Sequence, residues 1–117
     1  MRLLLLLLTA TLMASMLSAQ TPAAPRGNAE NGKKLFTTYG CYECHNYGAS
    51  GGAGTGPRLA PRPIPFPAFT KEIRRPRAEM PPYTAKVASD QDLADIYAFL
   101  LTIPAPPAVN TIPLLNN

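Results

Sequence analysis

The sequence predicts a small all-α domain in which two helices, one near each end, are joined by long glycine- and proline-rich loops. Three observations lead there. Apolar residues recur at helical spacing in two stretches, and no stretch shows the period-two alternation of a strand pair. Prolines number 14 in 117 residues, well above the ~5% of an average chain, so much of the backbone cannot join a regular hydrogen-bonded ladder. No internal repeat is present.

The first helix is expected from a cap at Asn28, with Glu30 in its first turn and Leu35 and Phe36 on its apolar side, to about Tyr39, where Gly40 ends it. Gly32 lies one turn before Phe36 and shares its face. Inside a helix a glycine costs roughly 1 kcal/mol relative to alanine, a cost that close approach of another backbone would justify. The second helix is capped by Ser89, carries Asp90 and Asp92 at its positive end, and repeats Leu93, Ile96, Tyr97, Leu100 and Leu101 until Pro104 stops it. Its stripe is expected against the Gly32 and Phe36 face. A third, shorter helix fits from about Ala68 to Arg74, ahead of Pro76. Between them, Gly48 to Gly56 holds five glycines in nine residues, and Pro61, Pro63, Pro65 and Pro67 alternate through an extended segment. Ile112, Leu114 and Leu115 in the proline-rich tail can pack back on the body or meet a partner.

The beginning of the chain reads as an export signal. Met1 and Arg2 are followed by an unbroken leucine run from Leu3 to Leu8 and by small and apolar residues to Leu17. That stretch is short of the ~20 residues of a spanning helix. Cleavage is expected after Ala19; an uncleaved membrane anchor is the other reading, and a lipoprotein anchor does not fit because the first cysteine is Cys41. The expected organisation is therefore a leader over 1–19, a linker over 20–27, one domain over 28–103 and a tail over 104–117, with the mature chain periplasmic or otherwise exported. From Gln20 onward ten Lys and Arg face seven Asp and Glu. In an exported protein this balance excludes nucleic acid as a natural partner and suits an acidic protein partner or a bound anionic group. Lys71, Arg74, Arg75 and Arg77 form the one dense cluster, which as a solvated face would need no ligand.

One glycine-rich pattern and one thiol pattern bear on chemistry. Gly52, Gly54 and Gly56 resemble a phosphate-cradling run, but Pro57 stands where a helix should open and the P-loop lysine is missing. The only histidine lies in Cys41-Tyr42-Glu43-Cys44-His45, a C-x-x-C-H pattern. Two thiols three positions apart can add across the two vinyl groups of one haem, which leaves the next histidine beside the ring and able to bind iron. A thioredoxin-like redox pair would need a βαβ frame, a structural disulfide would close a very small loop, and a zinc site would need a fourth ligand that the mature chain lacks. Met80 is the only thioether left once Met1, Met13 and Met16 depart with the leader. It precedes Pro81 and Pro82, which stiffen the loop that would present sulfur to iron; a gap-filling core methionine is the alternative.

Taken in order, the Gly32 and Phe36 helix, CYECH, Gly56-Pro57-Arg58-Leu59, Met80-Pro81-Pro82-Tyr83 and the Ser89 to Leu101 helix resemble a small class I bacterial monohaem cytochrome c. The resemblance covers roughly residues 27–103. It implies an all-α cytochrome c fold, with the terminal helices crossing at Gly32 against the Tyr97 side, around one haem c held by Cys41 and Cys44. It further implies that the Pro57 carbonyl orients His45 through its far ring nitrogen, that Leu59 packs in the haem pocket, and that His45 and Met80 are the iron ligands. The stretch between His45 and Met80 is shorter and richer in proline than the family's common pattern, so its middle helices are expected to be reduced. Arg58, Lys71, Arg74, Arg75 and Tyr83 are candidates to meet the haem propionates, with Arg58 or Arg74 preferred.

His/Met ligation raises the reduction potential and leaves no open iron position. The expectation is thus a non-enzymatic electron carrier, a monomer forming transient complexes, between a dehydrogenase or membrane respiratory complex and an oxidase or other terminal acceptor, with no small-molecule substrate. The alternatives are a tightly bound haem subunit of a dehydrogenase, or a gas-binding or peroxidase-like protein with a displaceable Met80. A domain this small buries little core of its own. The chain expressed without haem attachment should therefore be largely unfolded by far-UV circular dichroism; a native-like helical spectrum in the haem-free chain would contradict this.

Overall fold

The computed structural model describes residues 24–51 and 56–115. Among the described residues four helices follow one another: α1 (Ala29–Thr38), α2 (Cys41–His45), α3 (Phe66–Arg74) and α4 (Asp90–Thr102), with two 3-10 turns in the tail, Val109–Thr111 and Pro113–Leu115. Among the described residues there is no strand, and the architecture is the all-α one expected. The leader lies outside the described residues.

The caps are those the side chains dictate. Asn28 accepts from the Asn31 N–H at the start of α1, and Ser89 with Asp92 forms a reciprocal capping box at the start of α4. Hydrogen bonding from the Ser89 backbone holds the Asp92 carboxyl below its usual range, against the opposing effect of burial. Helix α3 begins at Phe66, two residues earlier than the sequence suggests, with Pro67 in its first turn. Proline is tolerated there because first-turn N–H groups have no helical partner. The expected extended run of alternating prolines is thus shortened at both ends, by a bend at residues 60–62 and by α3 from Phe66.

Helices α1 and α4 pack face to face. At Gly32 an added Cβ would fall on the Asp95 carbonyl and the Ile96 nitrogen, so glycine is required by the approach of the two backbones. One turn on, the Phe36 and Phe99 rings meet at 5.5 Å, a contact of the kind worth roughly 1 kcal/mol beyond its buried area. The helices cross at Gly32 as expected, but the partner there is the Asp95 to Ile96 backbone, while Tyr97 turns to α3, its ring 5.2 Å from both Phe66 and Phe69. The expected stripe is corrected, since Phe99 is 7% exposed and Leu101 58%. Helix α4 is covered by α1 on one side and α3 on another, so its buried surface is wider than a single stripe.

Asp95 is buried in the middle of this interface. It accepts from the Asn28 N–H at 2.8 Å, from Asn31 Nδ2 at 2.8 Å and from Gln91 Nε2 at 2.8 Å, and Gln91 also reaches the Arg26 carbonyl. Burial pushes its pKa up, but the hydrogen bonds from Asn31, Asn28 and Gln91 outweigh it and leave the carboxyl below its ordinary value. A depressed folded pKa means the carboxylate's contribution is fully present above the unfolded value of about 3.9 and is lost as pH falls through the folded one. Asp95→Ala strands these donors and should cost about 1–3 kcal/mol near neutral pH. In denaturant titrations the gap from the parent protein should narrow below about pH 4; a gap unchanged with pH would refute the assignment.

Candidate functional site

The C-x-x-C-H residues form α2. Helix α1 ends with the Tyr39 N–H on the Leu35 carbonyl, and Gly40, at φ 73°, turns the chain so that α2 starts one residue later. As a helical turn, positions i, i+3 and i+4 share one face, so Cys41, Cys44 and His45 stand together. Cys41 is half-buried and Cys44 exposed, and they form no disulfide. Burial pushes the Cys41 thiol up to about 11, the reverse of the lowered value a redox-active thiol pair requires.

His45 is 6% exposed, and its Nδ1 lies 2.8 Å from the Pro57 carbonyl oxygen. A carbonyl only accepts, so Nδ1 carries the proton and Nε2 is left with the lone pair that binds metal. The loop that brings Pro57 back is pinned at three points: Gly51 N–H donates to the His45 carbonyl, and the Leu59 and Ala60 N–H groups both donate to Ala49. Gly56 completes the wall, because a Cβ there would come within 2.6 Å of the Cys44 carbonyl oxygen and 2.8 Å of His45 Nδ1. Leu59 is half-buried against the core, together with Leu35, Tyr39, Cys41 and Tyr83. These residues fit a covalent haem: two thiols and an oriented imidazole on one face, with apolar side chains beside them.

Met80 is half-buried on the segment between α3 and α4. Tyr83, three residues later, donates from its N–H to the Ile73 carbonyl and from its hydroxyl to the Tyr39 carbonyl at 2.6 Å. Tyr39 in turn donates its hydroxyl to Asp92 at 3.0 Å. Burial, with the Cys41 and Cys44 thiols nearby, raises the Tyr83 hydroxyl pKa, which sets this tyrosine beside the attachment motif. The expectation for Arg74 is corrected. Its guanidinium donates to the Tyr83 carbonyl at 2.9 Å, to the Ala88 carbonyl at 2.7 Å and to Asp90 at 2.7 Å, so it is committed to the protein, not to a propionate. The Tyr83 hydroxyl is likewise committed to Tyr39. Arg58, Lys71 and Arg75 are exposed, and Arg58 borders a shallow groove with Gly48, Ser50, Pro61 and Ile103.

A family model described as cytochrome c oxidase, cbb3-type, subunit III, matches residues 27–100. The chain belongs to this family. No curated protein and no solved structure matches the chain significantly. This cbb3-type cytochrome c domain is a haem-binding, electron-transferring unit, and Cys41, Cys44 and His45 fit one covalently bound haem c.

Sequence reasoning missed Tyr39, Asp92, Asp95 and the role of Arg74. Asp95 did leave a signal, a carboxylate set between Ala94 and Ile96 in an otherwise apolar helix; the partners of Tyr39 and Arg74 lie too far along the chain for any spacing to suggest them. The Gly56 wall yields a direct comparison. Gly56→Ala should destabilise the haem-loaded protein by about 1–3 kcal/mol, since the methyl would press on backbone that cannot yield, whereas Gly48→Ala, whose Cβ meets nothing within 4 Å, should leave the thermal midpoint nearly unmoved. Equal midpoints for the two variants would refute the wall.

Proposed function

We propose that the chain is an exported one-electron carrier whose haem c has His45 and Met80 as axial ligands. A bound haem c supplies a one-electron iron couple. Cys41 and Cys44 would hold it through two thioethers, and His45 would offer Nε2 from an imidazole fixed by Pro57. Met80 offers its sulfur from a segment stiffened by Pro81 and Pro82. With His45 and Met80 both holding the iron, no place would remain for a small substrate, and the residues around the site would have only to keep still while the charge changes. The observation carrying this reading is the Nδ1-protonated His45 on a helix that also bears both cysteines.

Electrons would come from a dehydrogenase or membrane respiratory complex and go to an oxidase or other acceptor. Arg58 is our candidate for a propionate, because Arg74 is engaged elsewhere, and exposed Lys71 and Arg75 suit transient encounter with an acidic face. The leucine run at Leu3 to Leu8 supports export. A second reading, a firmly held haem subunit, is favoured by the tail, where Val109, Leu114 and Leu115 are 67%, 84% and 61% exposed. A haem-loaded protein that remains monomeric and exchanges electrons with unrelated partners would speak against it.

The visible spectrum of the periplasmically matured protein tests the ligands. The long-wavelength sulfur-to-ferric-iron band should be present in the parent and absent in Met80→Ala; an identical spectrum in the two proteins would rule out sulfur ligation. Electron transfer should also slow as salt is added, and rates independent of ionic strength would remove the docking role of the cations.

A further inference from the structure

We propose that Arg74 is a positioning residue that holds Met80 in place by closing the neck of the loop on which Met80 sits. The proposal rests on the reading of Met80 as the sixth ligand. Residues 75–82 leave the end of α3 and return to it, for the next residue, Tyr83, donates its N–H to the Ile73 carbonyl at 3.0 Å. Across this neck Arg74 spans the Tyr83 and Ala88 carbonyls from one nitrogen, Nη1, and reaches Asp90 with the other. One side chain therefore ties the returning strand of the loop, the turn after it and the first residue of α4 to the last residue of α3.

The neck has firm ground beneath it. Helix α3 is seated on α4 through Phe66 and Phe69 against Tyr97, and the Tyr83 hydroxyl fastens the same point to Tyr39, two residues before Cys41. On the returning side only Pro81 and Pro82, whose φ angles are locked, stand between Met80 and the neck at Tyr83. Displacing the sulfur thus means opening the neck or straining a short, stiff arm. Of the bonds Arg74 makes, those to the carbonyls should dominate. Its side chain is 21% exposed whereas that of Asp90 is 88% exposed, and an ion pair so open to water contributes little. Charge-assisted hydrogen bonds to partly buried carbonyls contribute more.

Imidazole added to the ferric, haem-loaded protein can reach iron only where Met80 has left, so its affinity reports the opening of this loop. Arg74→Gln should bind imidazole about tenfold more tightly than the parent or better, the change expected from losing roughly one charge-assisted hydrogen bond across the neck. Arg74→Lys, which keeps the charge but cannot span two carbonyls, should also bind more tightly, and it decides the matter if Arg74→Gln does not mature. Asp90→Asn should match the parent. On a Met80→Ala background, Arg74→Gln should leave the already tight binding unchanged, because there is no ligand to displace. Parent-like imidazole affinity in Arg74→Gln, or in Arg74→Lys if only that matures, would overturn the positioning role even if the thermal midpoint falls, for that pattern marks a purely structural residue. Parent protein that binds imidazole as tightly as Met80→Ala would instead overturn Met80 ligation itself, and the positioning role with it.

Discussion

Where α1 crosses α4, the Gly32 backbone lies directly on the Asp95 carbonyl, with no room for even one methyl between them. The rest of the structure hangs from this contact. Helix α2, with both thiols and the imidazole, follows α1 with only two residues between them, so the direction in which α1 leaves the crossing sets where the attachment face points. Asp95 secures the crossing from within, tying the start of α1 to the middle of α4 through Asn28 and Asn31. A carboxylate in this position is tolerated because its hydrogen bonds replace the water it gives up.

Around that crossing the molecule uses few long apolar contacts and many short polar ties. Phe36 with Phe99, and Tyr97 with Phe66 and Phe69, are the aromatic pairs that join the three longer helices. The loops are fastened through backbone carbonyls and N–H groups: residues 46–51 and 56–60 by Ala49, Gly51 and Pro57, and the 75–89 segment by Tyr83 and by the Arg74 side chain. Such fastening suits a chain rich in proline and glycine, whose loops lose less conformational freedom where proline already restricts them. It also suits a cofactor site that must keep its shape while iron changes charge, because fully satisfied hydrogen-bond networks are rigid.

The two sides of the site are also linked to one another. Asp92, Tyr39 and Tyr83 form a hydrogen-bonded line from the start of α4, past the residue preceding Gly40, to the far end of the Met80 arm. The capping box of α4 therefore has two partners, its own helix and this line, since Asp92 serves both. Displacement at the end of α1 would thus be felt at Tyr83 and at the start of α4 through short hydrogen bonds.

The elements whose cause is local were legible in the sequence. Asn28 and Ser89 as caps, Gly40 as a turn, CYECH as an attachment motif and the all-α class each follow from neighbours within about one helical turn, and the demand for glycine at Gly32 showed as an otherwise costly residue in a helix. What the sequence left undetermined is which distant groups meet. Phe99 and Leu101 are both apolar residues of one helix, and only the placement of α1 and α3 decides that the first is buried and the second is not. Arg74 reads as one member of a basic cluster, and only the return of the loop to α3 turns it into a staple; Pro57 carries no side-chain donor at all, and although the family resemblance points to its carbonyl, no local spacing shows the contact with His45 that the fold makes. Residue type and spacing record short-range chemistry, whereas backbone carbonyls are the same at every position, so their selection as partners belongs to the tertiary fold.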